Sequence, residues 1–139
     1  FMHDSVESTA HSFWRRVADE VARGERAIVI ARDALGVCGT VQLVLSMPAN
    51  QPHRADVCKM LVHRRARRRG LGEALLRRVE DVARERGKSL LVLDTVTDSD
   101  AHRLYARLGW ERVGDIPNYA LFPDGRPCST TYFFKRVEG

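Results

Sequence analysis

The sequence predicts a single α/β domain built on a mixed β-sheet. Short apolar segments typical of strands alternate with amphipathic segments typical of helices, and turn residues join the first two strands as in a hairpin. A strand, a helix and a further strand follow one another in the middle of the chain. Such a unit forms a right-handed parallel crossover, whereas a hairpin is antiparallel, so both kinds of pairing are expected. Helices should cover both faces, with the hairpin at one edge.

The elements follow the order α-β-β-β-α-β-α-β-β. An amphipathic helix begins near Asp4, which has capping-box spacing to Glu7, and ends at Gly24. The predicted strands are residues 27–31, 37–45, 55–62, 90–95, 110–116 and 130–137, and the two further helices run from Leu71 to Gly87 and from Ala101 to Gly109. Residues 46–54 and the segment PNYALFPDGRP are predicted loops because they are rich in proline and other turn residues.

The net charge of +5 is concentrated in one place. Arg64, Arg65, Arg67, Arg68 and Arg69 are five of 23 basic residues, and the remaining 18 equal the number of acidic residues. A single patch indicates a local anionic ligand more than a long polyanion. No apolar run approaches the roughly 18 residues of a membrane span. The three cysteines are odd in number and widely spaced, which favours reduced thiols in the cytoplasm over disulfides or a metal site.

The segment RRRGLG (67–72) leads into the second predicted helix without a capping side chain. A helix N-terminus leaves about four backbone N–H groups unpaired and carries the positive end of the helix dipole. Gly70 and Gly72 have no Cβ, so a phosphate or pyrophosphate can approach these groups. The common phosphate loops are absent: no GxxxxGK[ST] string occurs, and Leu75 stands where a dinucleotide fingerprint needs a third small residue.

The pattern Arg67-x-x-Gly70-x-Gly72, between a strand and a helix, resembles the acyl-CoA signature (Q/R)xxGxG/A of the GNAT family of N-acetyltransferases. The resemblance covers roughly residues 26–137 and includes LDT (93–95), AHRLYARLGW (101–110) and RVGDIPNYALFPDGR (112–126). Within the family the sequence looks most like small-molecule acetyltransferases of the tabtoxin-resistance type.

The resemblance implies a sheet that splays into a V between the family's fourth and fifth strands, which correspond to residues 55–62 and 90–95. The pantetheine arm of acetyl-CoA would pair with the backbone of Leu61 and Val62. The residues implied for its pyrophosphate are Arg67, Arg68, Arg69, Gly70, Leu71 and Gly72. Arginines 67–69, or Arg103 and Arg107 of the next helix, would neutralise the 3′-phosphate. Arg64 and Arg65 are equally consistent with a solvated charge run.

Tyr105 is the candidate general acid. It follows Ala101 by four residues, at the tyrosine of the family's AxxxY pattern, and its phenol can donate a proton to a departing thiolate. The alternative is a core aromatic on a short helix. Asp98 stands where the family usually has asparagine, and is expected to cap the helix that begins near Ser99.

Asp56 and Asp94 are the candidate bases. Asp56 lies near the start of the strand 55–62, and Asp94 lies near the end of the strand 90–95. A carboxylate buried in the cleft between these two strands would attract an amine and accept its proton directly or through water. The alternative is a turn or capping role at the strand ends. The five histidines have no metal-ligand spacing, and no metal is expected.

The sequence therefore predicts a cytoplasmic enzyme that transfers the acetyl group of acetyl-CoA to a primary amine of a small molecule by direct attack on the thioester. Specificity should come from the first helix and the loops at 46–54 and 116–127, with Tyr119 and Asp124 as candidates. The alternatives are an inactive CoA-binding module and a protein or peptide N-acetyltransferase. Nucleic-acid binding through the arginines is least favoured, and no membrane partner is expected.

GNAT proteins normally begin with a strand and a helix that have no counterpart before the helix containing Phe13 and Trp14. Residues 1–139 are therefore predicted to be one GNAT domain without these two elements. Their loss would uncover a sheet edge and apolar surface, which predicts a homodimer or a chain extending before Phe1.

Overall fold

A computed structural model of the chain describes residues 17–67 and 70–138. Residues 17–22 form α1, the described part of the predicted first helix; its beginning at Asp4 and the residues Phe13 and Trp14 lie outside the described range. The further helices are α2 (Leu71–Glu85) and α3 (Asp100–Arg107), and a single 3₁₀ turn (Arg64–Ala66) precedes α2. No helix within these ranges has the length and apolar character needed to cross a membrane.

The described strands form one mixed sheet. They are β1 (Arg26–Asp33), β2 (Gly36–Val44), β3 (Arg54–Val62), β4 (Leu90–Val96), β5 (Glu111–Leu121) and β6 (Pro127–Arg136), and their order across the sheet is β1-β2-β3-β4-β6-β5. The pairing of β3 with β4 is parallel, and the other neighbouring pairs are antiparallel. The predicted mixed sheet, with the first hairpin at one edge and a crossover through α2, is confirmed.

One predicted loop is wrong. Of the segment PNYALFPDGRP, residues 117–121 belong to β5 and Pro127 begins β6, so only residues 122–126 form the turn between the two strands. Two extra residues bulge out of β5 between the pairs Ile116–Thr130 and Ala120–Cys128, and Asn118 adopts a φ of 54° there. A proline is tolerated at a bulge of an edge strand because it breaks no ladder hydrogen bond. Pro117 and Asn118, two of the turn residues that made this segment resemble a loop, lie within the bulge.

The main core lies between the sheet and the two helices α2 and α3. On the sheet it is lined by side chains that share one face and are at most 4% exposed: Leu43, Val57, Leu91 and Phe133. Helix α1 contacts the opposite face, where Arg26 Nε donates to a Glu20 carboxylate oxygen at 2.7 Å and Arg26 Nη1 donates to Gln42 Oε1 at 2.7 Å. Helices therefore lie on both faces, as predicted.

The strands β3 and β4 separate soon after they meet. Only residues 54–56 of β3 pair with residues 90–92 of β4, although both strands continue. An extra residue in β3 shifts its register against β2, and Lys59 within it has a φ of 55°. The core-facing position passes from Val57 to Met60, three residues on, instead of two. A bulge bends its strand, so β3 diverges from β4 and a V-shaped opening forms in the sheet.

The core makes a direct prediction about stability. Replacing Leu43, which is fully buried, by alanine should lower the free energy of unfolding by about 2–5 kcal/mol because apolar contacts are lost and a cavity remains. The matched control is Leu35→Ala, since Leu35 is 79% exposed and its truncation should change stability by no more than about 0.5 kcal/mol. Urea unfolding measures both, and equal losses would contradict this description of the core.

Candidate active site

An open groove of about 860 Å³ lies between the end of β3, the start of α2 and α3. It is lined by Met60, Leu61, Val62, Ala66, Arg67, Gly70, Leu71, Gly72, Glu73, Ser99, Asp100, Ala101, Arg103, Leu104 and Arg107. The groove thus brings together the described residues that the sequence predicts for acetyl-CoA: Leu61, Val62, Arg67, Gly70, Leu71 and Gly72. Arg68 and Arg69 lie outside the described residues.

Helix α2 begins without a side-chain cap, as the sequence predicts. Gly70 is its N-cap residue, and no side chain accepts a hydrogen bond there. The first helical bond is that from Ala74 N to Gly70 O, at 3.1 Å. The N–H groups of residues 71–73 therefore have no partner one turn earlier within the helix, and these residues line the groove. The helix dipole adds positive potential at this end.

The two glycines of the motif serve different purposes. Gly70 has a φ of 72°, a left-handed conformation that a residue with a Cβ adopts only with strain, and the space around it is open. A Cβ on Gly72 would lie 2.9 Å from Leu104 Cδ2. Gly72 therefore allows α2 and α3 to approach each other at one end of the groove, a role that the sequence motif alone does not indicate.

The arginines near the motif differ from one another in their contacts. Arg65 is ion-paired with Asp33, with Nε 3.0 Å from Oδ2, and fastens the 3₁₀ turn to the hairpin of β1 and β2. The interpretation of Arg65 as part of a solvated run is therefore wrong. Arg67, Arg103 and Arg107 line the groove, where they can meet the phosphates of a ligand.

Tyr105 occupies the core and approaches the groove only with its hydroxyl end. The side chain is 5% exposed and packs against Trp110 and Phe133. Its hydroxyl oxygen lies 4.0 Å from the Sδ atom of Met60, which lines the groove. Burial, with a smaller contribution from Asp94, raises the pKa of Tyr105 to about 12. A phenol is protonated at neutral pH even at its ordinary pKa, as a proton donor must be, and the raised value extends the neutral range to higher pH.

The residue that caps α3 is Ser99. Its Oγ accepts a hydrogen bond from the backbone N–H of His102 at 3.1 Å. The prediction that Asp98 caps this helix is wrong, because Asp98 has a φ of 63° in the turn before it, and its own N–H donates to His102 Nδ1 at 3.0 Å.

Asp56 and Asp94 share the face of the sheet opposite α2 and α3. Asp56 pairs with Val92, and Asp94 is two residues further along β4, where β3 has already separated. The Asp56 carboxylate accepts a hydrogen bond from Arg54 and forms an ion pair with it. Asp94 is exposed, contrary to the expected burial, and accepts a hydrogen bond from Thr130 Oγ1 at 2.8 Å. Within the described residues, no lysine or arginine forms an ion pair with Asp94.

Comparison with known proteins agrees with this arrangement. The sequence profile of the acetyltransferase (GNAT) family matches residues 2–110. The chain belongs to the GNAT family. Similar solved structures include yncA of Salmonella typhimurium, assigned as an acetyltransferase and solved with its cofactor acetyl-CoA; identity is 23%, coverage is 89% of this chain and 73% of that one, and the TM-score is 0.77. A ribosomal-protein-alanine N-acetyltransferase of Brucella melitensis has 20% identity, coverage of 91% and 77%, and a TM-score of 0.78. A protein assigned as a phosphinothricin N-acetyltransferase has 20% identity, coverage of 83% and 73%, and a TM-score of 0.71.

The groove of this GNAT protein fits acetyl-CoA, the family's acyl donor. Backbone donors at the uncapped start of α2 and the arginines beside it suit the phosphates, while the end of β3, unpaired on its β4 side, suits the amides of a pantetheine arm. The described residues contain no group of three or more His, Cys, Asp or Glu side chains that could hold a metal ion. Cys38, Cys58 and Cys128 form no disulfide.

A pair of tyrosines in contact with each other includes the residue opposite Asp94, and sequence reasoning found only the other one, Tyr119. Tyr132 of β6 lies directly opposite Asp94, and its hydroxyl oxygen is 3.0 Å from that of Tyr119 in β5. Alternation in β6 could have indicated that Tyr132 points away from the core, but its partner depends on strand register, which the sequence does not specify. The other candidate, Asp124, accepts hydrogen bonds from the Arg126 backbone and side chain and stabilises the turn before β6.

The raised pKa of Tyr105 predicts a pH-dependent stability. Between about pH 10 and 12 the unfolded phenol loses its proton while the folded one keeps it, so the free energy of unfolding falls as the pH rises through this window. Tyr105→Phe removes this contribution, which is of the order of 2–3 kcal/mol. Urea unfolding at several alkaline pH values should show a steeper decline for the parent than for the variant; parallel curves would refute the buried, neutral phenol.

Proposed function

We propose that this GNAT protein transfers the acetyl group of acetyl-CoA to a primary amine of a small molecule. The observation that carries the proposal is the opening between β3 and β4. A groove suited to a CoA ligand approaches this opening from the side of α2 and α3, and Asp94 stands beside it on the opposite face. Two reactants could therefore approach from opposite faces and meet within the sheet, which is the proximity that direct transfer requires.

The residues that would hold acetyl-CoA follow from the groove. The backbone N–H groups of residues 71–73 would bind its pyrophosphate, and the backbone of Leu61 and Val62 would bind the pantetheine arm. Arg67, Arg103 and Arg107 would neutralise the remaining phosphate charge. When bound, acetyl-CoA supplies an acyl group activated as a thioester.

Asp94 is better suited than Asp56 to receive the proton of the amine. The charge of Asp56 is already engaged by Arg54, whereas the partner of Asp94 is the neutral hydroxyl of Thr130. An ammonium group would therefore gain more from Asp94, and the carboxylate could accept its proton directly or through a water molecule. Asp56 would contribute negative potential from the neighbouring strand.

Tyr105 is suited to protonate the departing sulfur. Its hydroxyl is protonated at neutral pH, as any phenol is, and lies 4.0 Å from the Sδ atom of Met60 in the wall of the groove. A neutral phenol at this place can stabilise negative charge on a leaving thiolate without altering the ground-state charge of the site.

A small amine is favoured over a protein chain by the shape of the acceptor face, by which we mean the face of the sheet that carries Asp56 and Asp94. The β5–β6 hairpin has a turn of only residues 122–126, and Tyr119 and Tyr132 bound the space beside Asp94. The resemblance to tabtoxin-resistance proteins supports the same choice. The similarity in fold to a ribosomal-protein-alanine N-acetyltransferase supports the alternative of a peptide acceptor. Three free thiols are consistent with the cytoplasm, where we place the protein.

A screen of acceptors with acetyl-CoA, read by mass spectrometry, tests the proposed reaction. The library should hold small primary amines and peptides with an N-terminal alanine, and acetylation of small amines is the expected result. Acetylation confined to peptides would favour a protein N-acetyltransferase, and CoA binding without any transfer would favour an inactive module.

In the active protein Asp94→Asn should lower kcat by about a hundredfold or more, and Asp56→Asn by clearly less. The reverse order would exclude Asp94 as the base.

The start of α2 provides a test of acetyl-CoA binding. A valine at position 70 would carry a β-branched side chain at a φ of 72° on the rim of the groove, and should weaken acetyl-CoA binding about tenfold or more. Gly125→Val is the matched control, since Gly125 also has a positive φ and open surroundings but lies in the β5–β6 turn. Isothermal titration should show a weaker Kd only for Gly70→Val; an equal effect of both would place the CoA elsewhere.

A further inference from the structure

The bulge of β5 places Tyr119 over the acceptor face. The strand carries two extra residues between Ile116 and Ala120, and Asn118 within the bulge adopts a left-handed conformation. Tyr119 follows immediately, and its hydroxyl oxygen reaches that of Tyr132 at 3.0 Å. A bulge redirects a side chain that regular alternation would point elsewhere. The position of Tyr119 therefore depends on the bulge and not on the strand alone.

Tyr119 and Tyr132 form an aromatic corner next to the Asp94 carboxylate. The two rings stand at 88° to each other with centroids 6.2 Å apart. Tyr132 lies opposite Asp94 on β4 and opposite Gly114 on β5, and glycine leaves space beside the ring. Tyr119 is 49% exposed, so the corner is open to solvent. An apolar group can pack against such rings while a cation beside it is attracted by the carboxylate and the ring faces.

The charges on this face disfavour an acceptor that carries its own carboxylate. Arg54 is ion-paired with Asp56, and Arg26 is ion-paired with Glu20. A carboxylate adjacent to the amine would be repelled by Asp94. Both of these arginines are already engaged, and Arg136, which shares this face through its pairing with Leu90, lies over the Phe134 ring, four residues along β6 from Tyr132. Acceptor amines whose only charge is the ammonium group avoid this repulsion.

We propose that Tyr119 and Tyr132 determine the specificity of the acceptor site and select a primary amine on an apolar alkyl or arylalkyl skeleton that carries no carboxylate. The aromatic corner holds the skeleton, and Asp94 holds the ammonium group. Asn118 acts as a positioning residue, because its left-handed conformation presents Tyr119 to Tyr132. This inference rests on the proposed function for the identity of the acceptor, but amine binding can be measured without turnover.

Isothermal titration of the whole chain with phenethylamine and with phenylalanine tests the inference, since the two probes differ by one carboxylate. Phenethylamine should bind at least tenfold more tightly than phenylalanine. Tyr119→Ala should weaken phenethylamine binding about tenfold, and the matched control Leu121→Ala, a 70% exposed position of the same strand, should leave it unchanged. Equal affinities for the two probes, equal affinities of parent and Tyr119→Ala, or no binding to either protein would overturn the proposal.

Asn118 supplies a second variant pair for the same titration. Asn118→Gly retains access to a positive φ and should keep parental affinity, whereas Asn118→Val disfavours that conformation and should weaken phenethylamine binding about as much as Tyr119→Ala. Parental affinity in Asn118→Val would count against the role of the bulge.

Turnover separates this inference from the proposed function. Tyr119→Ala should raise the KM for phenethylamine and leave both kcat and the KM for acetyl-CoA near the parental values. Binding that depends on Tyr119 without any acetylation would uphold the aromatic corner and refute the acetyltransferase. Acetylation of phenethylamine with the same KM in parent and variant would uphold the acetyltransferase and refute the aromatic corner.

Discussion

The arrangement of this protein depends on the separation of β3 and β4. Three residues of each strand form the parallel pairing, and the bulge at Lys59 then turns β3 away. The remaining length of β3 keeps its pairing with β2, but none of the described strands pairs with its other edge. A sheet edge in this state is a ready partner for an extended ligand. The groove and both carboxylates are arranged around this gap.

The two faces of the sheet beside the gap carry different groups. Helices α2 and α3 pack on one face, and the close approach at Gly72 and Leu104 sets how they meet beside the groove. The other face carries Asp56 and Asp94, with the tyrosines of the last hairpin beside them. Tyr105 lies on the helical side, but the negative charge of Asp94 on the other side of the sheet contributes to raising its pKa. Burial raises the pKa of this phenol, so the packing of the core and the charge at the gap both act on one side chain.

Local patterns were sufficient for much of the fold. The hairpin, the crossover and the helix that begins after Gly70 each leave a signal within a few residues, and each is present as expected. The errors fall where a neighbouring strand or helix decides. Residues 117–121 resemble a loop, but Ala120 and Leu121 pair with β6 after the bulge. Arg65 resembles a solvated charge, but the fold brings Asp33 of a distant hairpin into an ion pair with it. The cap at Ser99 was missed because the turn before it holds Asp98 in a left-handed conformation.

The sequence by itself determined the class of fold, the uncapped glycine turn and the resemblance to GNAT acetyltransferases, because these depend on residue type and short-range spacing. Only the tertiary structure decided which carboxylate is engaged by an arginine, that Asp94 is exposed, and that Tyr132 stands opposite it. Those facts depend on strand register, and a shift of one residue would send every side chain of a strand to the other face. The sequence names the chemical groups, while pairing across the sheet decides which of them meet.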